Sequence, residues 1–452
     1  MLAKRLRELG QDHIARLLEG EADRSRRELI ERDLVGVDLD LVSRLVRGDS
    51  LYTPPGGEVE PADIIPASFA SSAEAKEAVS RGSDLLASGR VAAVIVAGGQ
   101  GSRLGIDAPK GVVEVTPVRG KSLFCLFAEK ILALRRRFGH AVPLFIMTSR
   151  ENDAPTRTYF QERGFFGLGS QNVHFFVQGM LPSVTPEGRF ILSETGGVFM
   201  NPDGHGGTFR ALRDNGCLGL MASLGIEEIF YFQVDNPLVK VCDPLFIGLH
   251  SANGAQMSTK VVRKASYDER VGVIVKQGGR TCLLEYSDMA DEVRYATDHR
   301  GHMLYWAGNM AVHMIRRDFA ETVTSRGTEL PFHRAAKKIV GLDAAGNPTR
   351  MDGIKFESFI FDALPLARRS VTLEVAREEE FAPVKNMTGT DSLVSSRQLQ
   401  SNLHASWLGR MGVDVPAGVL VEISPLFALD FEELQHKQDR IPRSIQEDTY
   451  VG

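Results

Sequence analysis

The sequence predicts a protein of the α/β class, in which apolar strands alternate with amphipathic helices around a central sheet. Three observations support this class. The 452 residues are 43% hydrophobic and 25% charged, β-branched apolar runs begin near Val91, and helical patterns separate these runs. The composition is that of an ordinary folded protein, which excludes disordered and fibrous classes. A chain of this length has room for one large core or two to three domains.

The first part of the chain, residues 1–89, is predicted to be helical. Leucines recur at helical spacing from Leu2 to Leu18, and a less regular pattern continues to Leu45. Turn residues at Pro54–Gly57 interrupt this pattern, and a polar helix is expected over Ser72–Ser88. We expect these helices to pack onto the main body of the protein.

The central part, residues 90–385, carries the alternating pattern, and residues 386–452 are predicted to form a small C-terminal lobe with a strand at Val419–Ile423. Helices are expected at Leu123–Leu134 and Pro155–Gly164. Strands are expected at Val91–Ala97, Pro143–Thr148, Val173–Val177, Ile229–Val234, Lys260–Val262, Val271–Val275 and Met310–Met314.

Charge and cysteine usage narrow the possible partners. The net charge of -5 gives no overall basic field for nucleic acid or an anionic membrane surface. The four cysteines are scattered, so neither a disulfide framework nor a cysteine-rich zinc site is indicated. The N-terminus lacks an apolar signal region, and the longest apolar run, near Val91, is too short to span a bilayer. A cytoplasmic protein is therefore expected, and its oligomeric state is left open.

A glycine-rich turn follows the first predicted strand of the central part. In Ala97–Gly105, with the sequence AGGQGSRLG, glycines allow backbone N–H groups to approach an anion, and Arg103 supplies forked donors. Lys110, in Pro109–Gly111, follows in the same loop region. The spacing is neither G-x-x-x-x-G-K-[ST] nor G-x-G-x-x-G, which argues against ATPase and dinucleotide-binding interpretations. A structural turn with surface cations is the alternative.

These residues resemble the signature of the eukaryotic-type UDP-sugar pyrophosphorylases, the UDPGP family. The nearest branch is that of the UDP-N-acetylhexosamine (UDP-N-acetylglucosamine) pyrophosphorylases. Further blocks match in order from about Val91 to Leu426: Met147–Ser149, Gln178 before Leu181–Pro182, Pro202–Gly207, Val234–Asn236, Glu285–Ser287, Ala307–Asn309, His333 before Lys337–Lys338, Phe359–Asp362, Arg377–Asn386 and Glu422–Pro425.

The resemblance implies a fold and a reaction. The expected fold is a Rossmann-like nucleotidyltransferase (GT-A-like) domain with a mixed sheet flanked by helices, a helical N-terminal part and a small β-containing C-terminal part. The expected enzyme, a uridylyltransferase, joins UTP to a sugar 1-phosphate and releases pyrophosphate and a UDP-sugar, with Mg²⁺ as cofactor. A direct displacement needs no separate nucleophile, because the sugar phosphate attacks the α-phosphorus itself.

The resemblance also assigns roles to single residues. Asp235 is the expected Mg²⁺ ligand; without the resemblance, an Asp after a strand is more often a helix cap or turn residue. The expected catalytic cations are Arg103, Lys110 and Lys385. The expected nucleotide-binding residues are Ala97, Gly98, Gly99, Gln178 and Gly204. The expected sugar-binding residues are His205, Gly272, Glu285, Asn309 and Phe361; Asn309 as a turn stabiliser and Phe361 as core packing are the alternatives.

The identity of the sugar depends on two opposing features. His205 stands where the acetylhexosamine branch usually has Asn, and Gly-His-Gly is more similar to the UDP-glucose and broad-specificity branches. Asn309 and the Glu422–Pro425 block favour the acetylhexosamine branch. We therefore rank N-acetylglucosamine 1-phosphate ahead of glucose 1-phosphate. A regulator that binds nucleotide-sugars without turnover is the alternative from a different class.

Overall fold

The chain is divided into two units, each built from three separate stretches. The computed structural model describes residues 1–20, 23–53, 56–325, 330–343 and 345–452. The small unit comprises Met1–Pro55, Gln178–Ala211 and Val323–Ala363, and the large unit comprises Gly56–Val177, Leu212–Thr322 and Leu364–Gly452. The predicted division into residues 1–89, 90–385 and 386–452 stays a prediction. The turn residues Pro54 and Pro55 lie outside the described residues.

The helices in chain order are α1 (Leu2–Glu8), α2 (Asp12–Glu19), α3 (Arg24–Leu34), α4 (Leu39–Arg47), α5 (Ala73–Ala87), α6 (Leu123–Phe138), α7 (Asp153–Glu162), α8 (Thr208–Asp214), α9 (Cys217–Ser223), α10 (Pro244–Ala252), α11 (Asp291–Arg294), α12 (Arg317–Thr322), α13 (Arg377–Glu380), α14 (Leu393–Arg410) and α15 (Phe431–Gln435).

The strands in chain order are β1 (Val59–Pro61), β2 (Val91–Val96), β3 (Leu144–Thr148), β4 (Val173–Val177), β5 (Met180–Pro182), β6 (Met200–Pro202), β7 (Glu228–Gln233), β8 (Met257–Arg263), β9 (Val273–Gln277), β10 (Arg280–Leu284), β11 (Ala307–Arg316), β12 (His333–Leu342), β13 (Pro348–Glu357), β14 (Thr372–Glu374), β15 (Val421–Ile423) and β16 (Thr449–Val451).

A mixed sheet forms the centre of the large unit and confirms the predicted α/β class. Its main path runs β1-β9-β11-β7-β2-β3-β4, and β8, β10 and β14 pair beside this path. Strands β7, β2, β3 and β4 are parallel to one another, whereas β11 runs antiparallel to β7. The carboxyl ends of the four parallel strands therefore share one edge of the sheet, where α/β proteins usually bind ligands.

The sequence explains why β2 occupies the middle of this sheet. Its residues from Val91 to Ile95 are all buried and apolar, as expected for a strand covered on both faces. Helix α6 covers one face with Phe124, Phe127 and Ile131. The Ser122 side chain caps the first turn of α6, and Gly139 ends it in the left-handed conformation that glycine adopts without strain.

The small unit combines the N-terminal helices with short strands. Helices α1 to α4 share an apolar core with Leu181 and Phe190 and with Phe332 and Phe356, which flank or lie in the β12–β13 hairpin. The leucine spacing predicted the N-terminal helices, but the hairpin was missed, because its strands carry charged residues such as Lys337 and Lys338 instead of an apolar run. The N-terminal leucine pattern thus marks core packing.

The C-terminal residues contain the predicted strand and a long helix. Strand β15 pairs with β16 in parallel, and α14 begins with a capping box formed by Ser392 and Ser395. Trp407 and Leu408 of α14 pack in one apolar cluster with Ile423. Among the described residues, no helix combines the length and the apolar character that crossing a bilayer requires.

Two glycines allow α5 and α10 to pack with their backbones in close approach. A Cβ atom at Gly248 would lie 1.7 Å from the carbonyl oxygen of Ala78, and one at Gly82 would lie 1.9 Å from that of Pro244. Backbone atoms cannot move aside as a flexible side chain can. The pairing of these two helices therefore requires glycine at both positions.

We expect Gly248→Ala to lower the free energy of unfolding by about 1–3 kcal/mol, because the added methyl group forces the two helices apart. Urea denaturation of the full chain measures this change. Gly219→Ala in α9 is the matched control, since nothing lies within 4 Å of its Cβ position. It should leave stability unchanged or raise it by up to about 1 kcal/mol. Equal effects of the two variants would contradict the packing argument.

Candidate active site

Three loops of the large unit leave the sheet at the shared carboxyl edge. Ala97 follows β2, Ser149 follows β3 and Val234 follows β7. Since these strands are adjacent and parallel, the loops are neighbours in space although the first and last lie well over 100 residues apart in sequence. The glycine-rich turn, a buried asparagine and the predicted metal-binding carboxylate belong to these loops.

The glycine-rich turn is held by a side chain that the sequence analysis did not assign. Asn152 is fully buried, and its Nδ2 donates to the carbonyl oxygens of Ala97 (2.9 Å) and Gly99 (3.4 Å). Its Oδ1 accepts from the backbone N–H of Ser149 at 2.7 Å. Within the described residues, the N–H groups of Gly98 and Gly99 have no hydrogen-bond partner. Two uncommitted donors thus lie on a turn in which the carbonyls of Ala97 and Gly99 are already satisfied, an arrangement suited to an anion.

The Pro109–Gly111 turn folds back onto this glycine-rich turn. The N–H of Lys110 donates to the carbonyl oxygen of Gly99 at 3.1 Å, and the N–H of Gly101 donates to that of Ala108 at 2.9 Å. Gly111 has a steric role, because a Cβ atom there would lie 2.1 Å from the ring of Phe124. These contacts bring the Lys110 backbone next to the glycine N–H groups.

The side chain of Lys110 meets the carboxylate of Asp235 across the edge. The distance from Lys110 Nζ to Asp235 Oδ2 is 3.2 Å, and the two side chains are 17% and 16% exposed. An ammonium group and a carboxylate this close, and mostly withdrawn from water, neutralise each other. Two of the predicted site residues, 125 positions apart, are thereby brought together.

Lys385 is tied to the same loop through the backbone. The N–H of Val384 donates to the carbonyl oxygen of Asp235 at 2.8 Å. The buried Asn236 side chain adds two hydrogen bonds to this segment, because its Nδ2 donates to the carbonyl of Glu380 at 2.7 Å and its Oδ1 accepts from Ala382 N–H at 2.9 Å. We call these three hydrogen bonds the Asn236 clamp; they fix the chain leading to Lys385 beside Asp235.

The Lys385 side chain is paired with the carboxylate of Asp391, whereas Arg103 forms no ion pair with either residue. Lys385 Nζ lies 3.4 Å from Asp391 Oδ2, and the Lys385 N–H donates to the Asp391 carbonyl at 2.6 Å. Arg103 is exposed in the short 3-10 turn Ser102–Leu104 and forms no ion pair with any described residue. Its guanidinium is available to a ligand at the glycine-rich turn.

Three predicted sugar-binding residues of the large unit lie in or next to neighbouring strands: Gly272 precedes β9, Glu285 follows β10 and Asn309 lies in β11. The Asn309 N–H donates to the carbonyl of Gly272 at 2.8 Å. Leu284, the residue before Glu285, pairs with Val273, the residue after Gly272. The Asn309 side-chain oxygen accepts from the N–H of Ala311, whose φ of 56° marks a bulge in β11. One end of this amide therefore stabilises the turn, as the structural alternative predicted, and its Nδ2 remains for a ligand.

The small unit gathers Gly204, His205 and Phe361. Gly204 has φ 88°, and a Cβ atom there would lie 2.3 Å from the carbonyl oxygen of Ser358, so only glycine fits. His205 Nδ1 accepts from the N–H of Ile360 at 3.2 Å, and its ring lies 5.5 Å from that of Phe361. Withdrawal from water, with a smaller effect of the nearby His333 charge, lowers the pKa of His205 to about 4. His205 is therefore neutral near pH 7, with its proton on Nε2.

Asp203 organises the backbone around these residues and was not assigned a role by the sequence analysis. Its carbonyl accepts from Ser358 N–H at 2.8 Å, and its carboxylate fills the space where Gly179 and Gly207 lack a Cβ atom. Gln178, next to Gly179, is buried at 8% exposure. Phe361 is also buried, which agrees with its alternative as a packing residue.

The carboxylate of Asp235 fits a hard divalent cation that is also bound by phosphate oxygens of the substrate. Among the described residues, no group of three or more His, Cys, Asp or Glu is placed to hold a metal ion. Mg²⁺ commonly takes only one or two protein carboxylates and completes its coordination with phosphate oxygens and water. The Asp235 carboxylate already attracts a cation, the Lys110 ammonium, in this structure.

The comparisons with known proteins cover nearly the whole chain. The family model described as UDPGP, UTP–glucose-1-phosphate uridylyltransferase, matches residues 56–449. UDP-N-acetylglucosamine diphosphorylase 1 of Arabidopsis thaliana is 36% identical over 463 residues, covering 96% of this chain and 90% of the relative. UDP-N-acetylglucosamine pyrophosphorylase of Saccharomyces cerevisiae is 36% identical over 374 residues, covering 80% and 78% of the two chains.

Solved structures share the fold. The uridine diphosphate N-acetylglucosamine pyrophosphorylase of Trypanosoma brucei, solved with an inhibitor, superposes with a TM-score of 0.83 at 28% identity and covers 100% of this chain and 97% of its own. The UDP-glucose phosphorylase of the same organism has a TM-score of 0.64 at 17% identity, covering 91% and 87%. The second match supports the fold alone.

We expect Asn236→Ala to lower the free energy of unfolding by about 2–4 kcal/mol, because the substitution leaves the buried Glu380 carbonyl and Ala382 N–H without partners. Urea denaturation gives the value. The matched control is Asn253→Ala, which removes a single, partly buried hydrogen bond to the carbonyl of Leu249 and should cost about 1 kcal/mol or less. A loss for Asn236→Ala no larger than that of the control would show that the clamp contributes little.

Proposed function

Because the chain belongs to the UDPGP family of UTP–glucose-1-phosphate uridylyltransferases, we propose that it joins UTP to N-acetylglucosamine 1-phosphate and releases pyrophosphate and UDP-N-acetylglucosamine. The observation that carries this proposal is the Lys110–Asp235 pair beside two free glycine N–H groups at the carboxyl edge. Relatives whose names specify N-acetylglucosamine cover most of the chain and support the choice of sugar.

The reaction is an in-line displacement at the α-phosphorus of UTP. An oxygen of the sugar 1-phosphate forms the new P–O bond, and the bond to the β-phosphate oxygen breaks, so pyrophosphate leaves with the electron pair. The attacking oxygen is already an anion, and a general base is not needed. The task of the protein is to align two anions and to offset the charge that develops between them.

The large unit supplies the groups for this task. The N–H donors of Gly98 and Gly99 bind phosphate oxygens, Arg103 and Lys110 compensate the charge on the departing pyrophosphate, and Lys385 acts at the α-phosphate. Asp235 would hold Mg²⁺, which supplies charge neutralisation at the phosphate oxygens when bound. The hydroxyl and amide groups of the sugar are bound by Gly272, Glu285 and Asn309.

The small unit carries the remaining proposed contacts. Gln178 and Gly204, with a side-chain amide and a close backbone, bind the uracil edge. His205 and Phe361 contribute to sugar binding, and the neutral His205 ring offers its Nε2–H as a donor. We propose a cytoplasmic location for the protein.

A panel of nucleoside triphosphates against sugar 1-phosphates tests the proposal. Pyrophosphate release from the purified full chain is measured with UTP, CTP, GTP or ATP and with the 1-phosphates of N-acetylglucosamine, N-acetylgalactosamine or glucose. We expect UTP with N-acetylglucosamine 1-phosphate to give the highest kcat/KM, about 10-fold or more above glucose 1-phosphate. EDTA should abolish release, and added MgCl₂ should restore it.

Two results, one from the panel and one from calorimetry, would each overturn part of this proposal. A higher kcat/KM for glucose 1-phosphate would refute the choice of sugar and leave the reaction class standing. Calorimetric binding of UTP without product from any pair would instead identify a regulator that binds nucleotide without turnover.

We expect Arg103→Ala to lower kcat by roughly 10²–10³-fold, the usual effect of removing one donor to a charge that develops in the transition state. Steady-state pyrophosphate release measures the change. Arg135→Ala is the matched control, since Arg135 is exposed in the last turn of α6; its activity should equal that of the unchanged protein. Full activity in Arg103→Ala would remove Arg103 from the mechanism.

A further inference from the structure

A cavity lies within the large unit, lined by different loops and helices from those of the glycine-rich turn. Helix α6, the segment after Asn236, helix α14 and strand β15 surround about 120 Å³ of empty space. A single water molecule needs only about 10–15 Å³ measured in this way. The space is therefore large enough for a small organic molecule.

Most of the wall is apolar. Leu126 of α6, Leu238 of the loop after β7, and Leu403 and Trp407 of α14 line the cavity. All four belong to apolar clusters of the large unit. A ligand that fits this wall needs a hydrocarbon body, because apolar surface gains most from contact with other apolar surface.

One cation on the wall lacks a carboxylate partner. Lys130 Nζ donates to the carbonyl oxygens of Pro237 at 2.6 Å and Val239 at 2.8 Å. An ammonium group has three N–H donors, and within the described residues the third has no hydrogen-bond partner, although the centroid of the Phe127 ring lies 5.7 Å from Nζ. Withdrawal from water lowers the pKa of Lys130 to about 7. The imidazole of His404 lines the same cavity, and burial together with the charge of Lys130 lowers its pKa to about 4.

The carboxylates on the wall already have other partners, and two of these partners, Lys240 and Arg137, line the cavity themselves. Glu422 accepts from the N–H groups of Val118 and Arg119 at 2.9 and 2.7 Å. Three others form ion pairs: Glu379 with Lys240 at 2.6 Å, Asp243 with Lys260 at 2.7 Å, and Asp430 with Arg137 at 2.7 Å. The free donor of Lys130 is therefore not matched by any acidic group of the cavity, and a negative charge brought by a ligand would satisfy it.

We propose that this cavity is a binding site for a small organic anion, a carboxylate carried on an apolar body of about six carbons, with the carboxylate accepting from Lys130 Nζ and the body against Leu403 and Trp407. The site is separate from the residues assigned to nucleotide and sugar. It does not depend on the proposed function, since binding is measured without UTP or metal.

The position of the cavity gives its occupancy a route to the catalytic loops. The Pro237 and Val239 carbonyls that hold Lys130 lie one and three residues after Asn236, whose side chain forms part of the clamp. An anion that draws Lys130 toward it alters hydrogen bonds two residues from Asp235.

Hexanoate and hexan-1-ol are the probes for the test, because they share six carbons and differ in charge. Trp306 and Trp407 are the two tryptophans of the chain, so Trp306→Phe leaves Trp407 as a fluorescent reporter on the cavity wall. In this background we expect hexanoate to change the Trp407 emission with a Kd of roughly 1 mM or tighter. Hexan-1-ol should bind about 10-fold or more weakly.

Variants of Lys130 separate the charge from the cavity. Lys130→Met keeps the length of the side chain and should weaken hexanoate binding by about 10-fold or more, whereas Lys130→Arg should retain it. Far-UV circular dichroism checks that both variants fold; if Lys130→Met does not, the ratio of hexanoate to hexan-1-ol affinity decides. No emission change below roughly 10 mM hexanoate, equal affinity for both probes, or equal affinity in Lys130→Met would each overturn the proposal.

Discussion

The candidate site depends on the requirement that buried backbone groups find hydrogen-bond partners. At the carboxyl edge of the sheet the strands end, so the backbone N–H and C=O groups no longer find hydrogen-bond partners in a neighbouring strand. The side chains of two buried asparagines supply these partners instead. Asn152 fixes the carbonyls of the glycine-rich turn, and Asn236 fixes the chain that leads to Lys385. An amide side chain suits this purpose, because it donates and accepts at once and carries no charge that must be compensated.

A buried network of charged side chains stabilises the chain at the same edge of the sheet. Lys260 is fully buried between Asp243 at 2.7 Å and Glu380 at 2.7 Å. The backbone carbonyl of Glu380 is the group that Asn236 holds. Such networks contribute little net stability compared with an apolar core, but the loss of one member leaves an uncompensated charge. The chain before Lys385 is therefore held in one position by charge as well as by hydrogen bonds.

Much of the fold could be predicted from the sequence, because strands buried on both faces read as apolar runs. The predicted strand Val173–Val177 matches β4, and Val91–Ala97 extends β2 by one residue. The hairpin β12–β13 was missed, because its many charged residues leave no apolar run in the sequence. At the site, motifs singled out Lys110 and Asp235, whose side chains lie 3.2 Å apart in the structure; the roles assigned to them stay predictions. Asn152, Asp203 and Asp391 went unassigned, because their roles depend on contacts with distant backbone that spacing does not reveal.

The discontinuous composition of the two units limits when the protein can fold. The large unit needs the stretch Leu364–Gly452, and the Asn236 clamp joins residues 146 positions apart. During synthesis, Asp235 leaves the ribosome long before the segment that fixes it. Contacts of such separation form late, since a long loop must close before it gains any interaction. The nascent chain therefore holds an incomplete sheet edge until nearly the whole sequence is available, a period in which chaperone binding would protect it from aggregation.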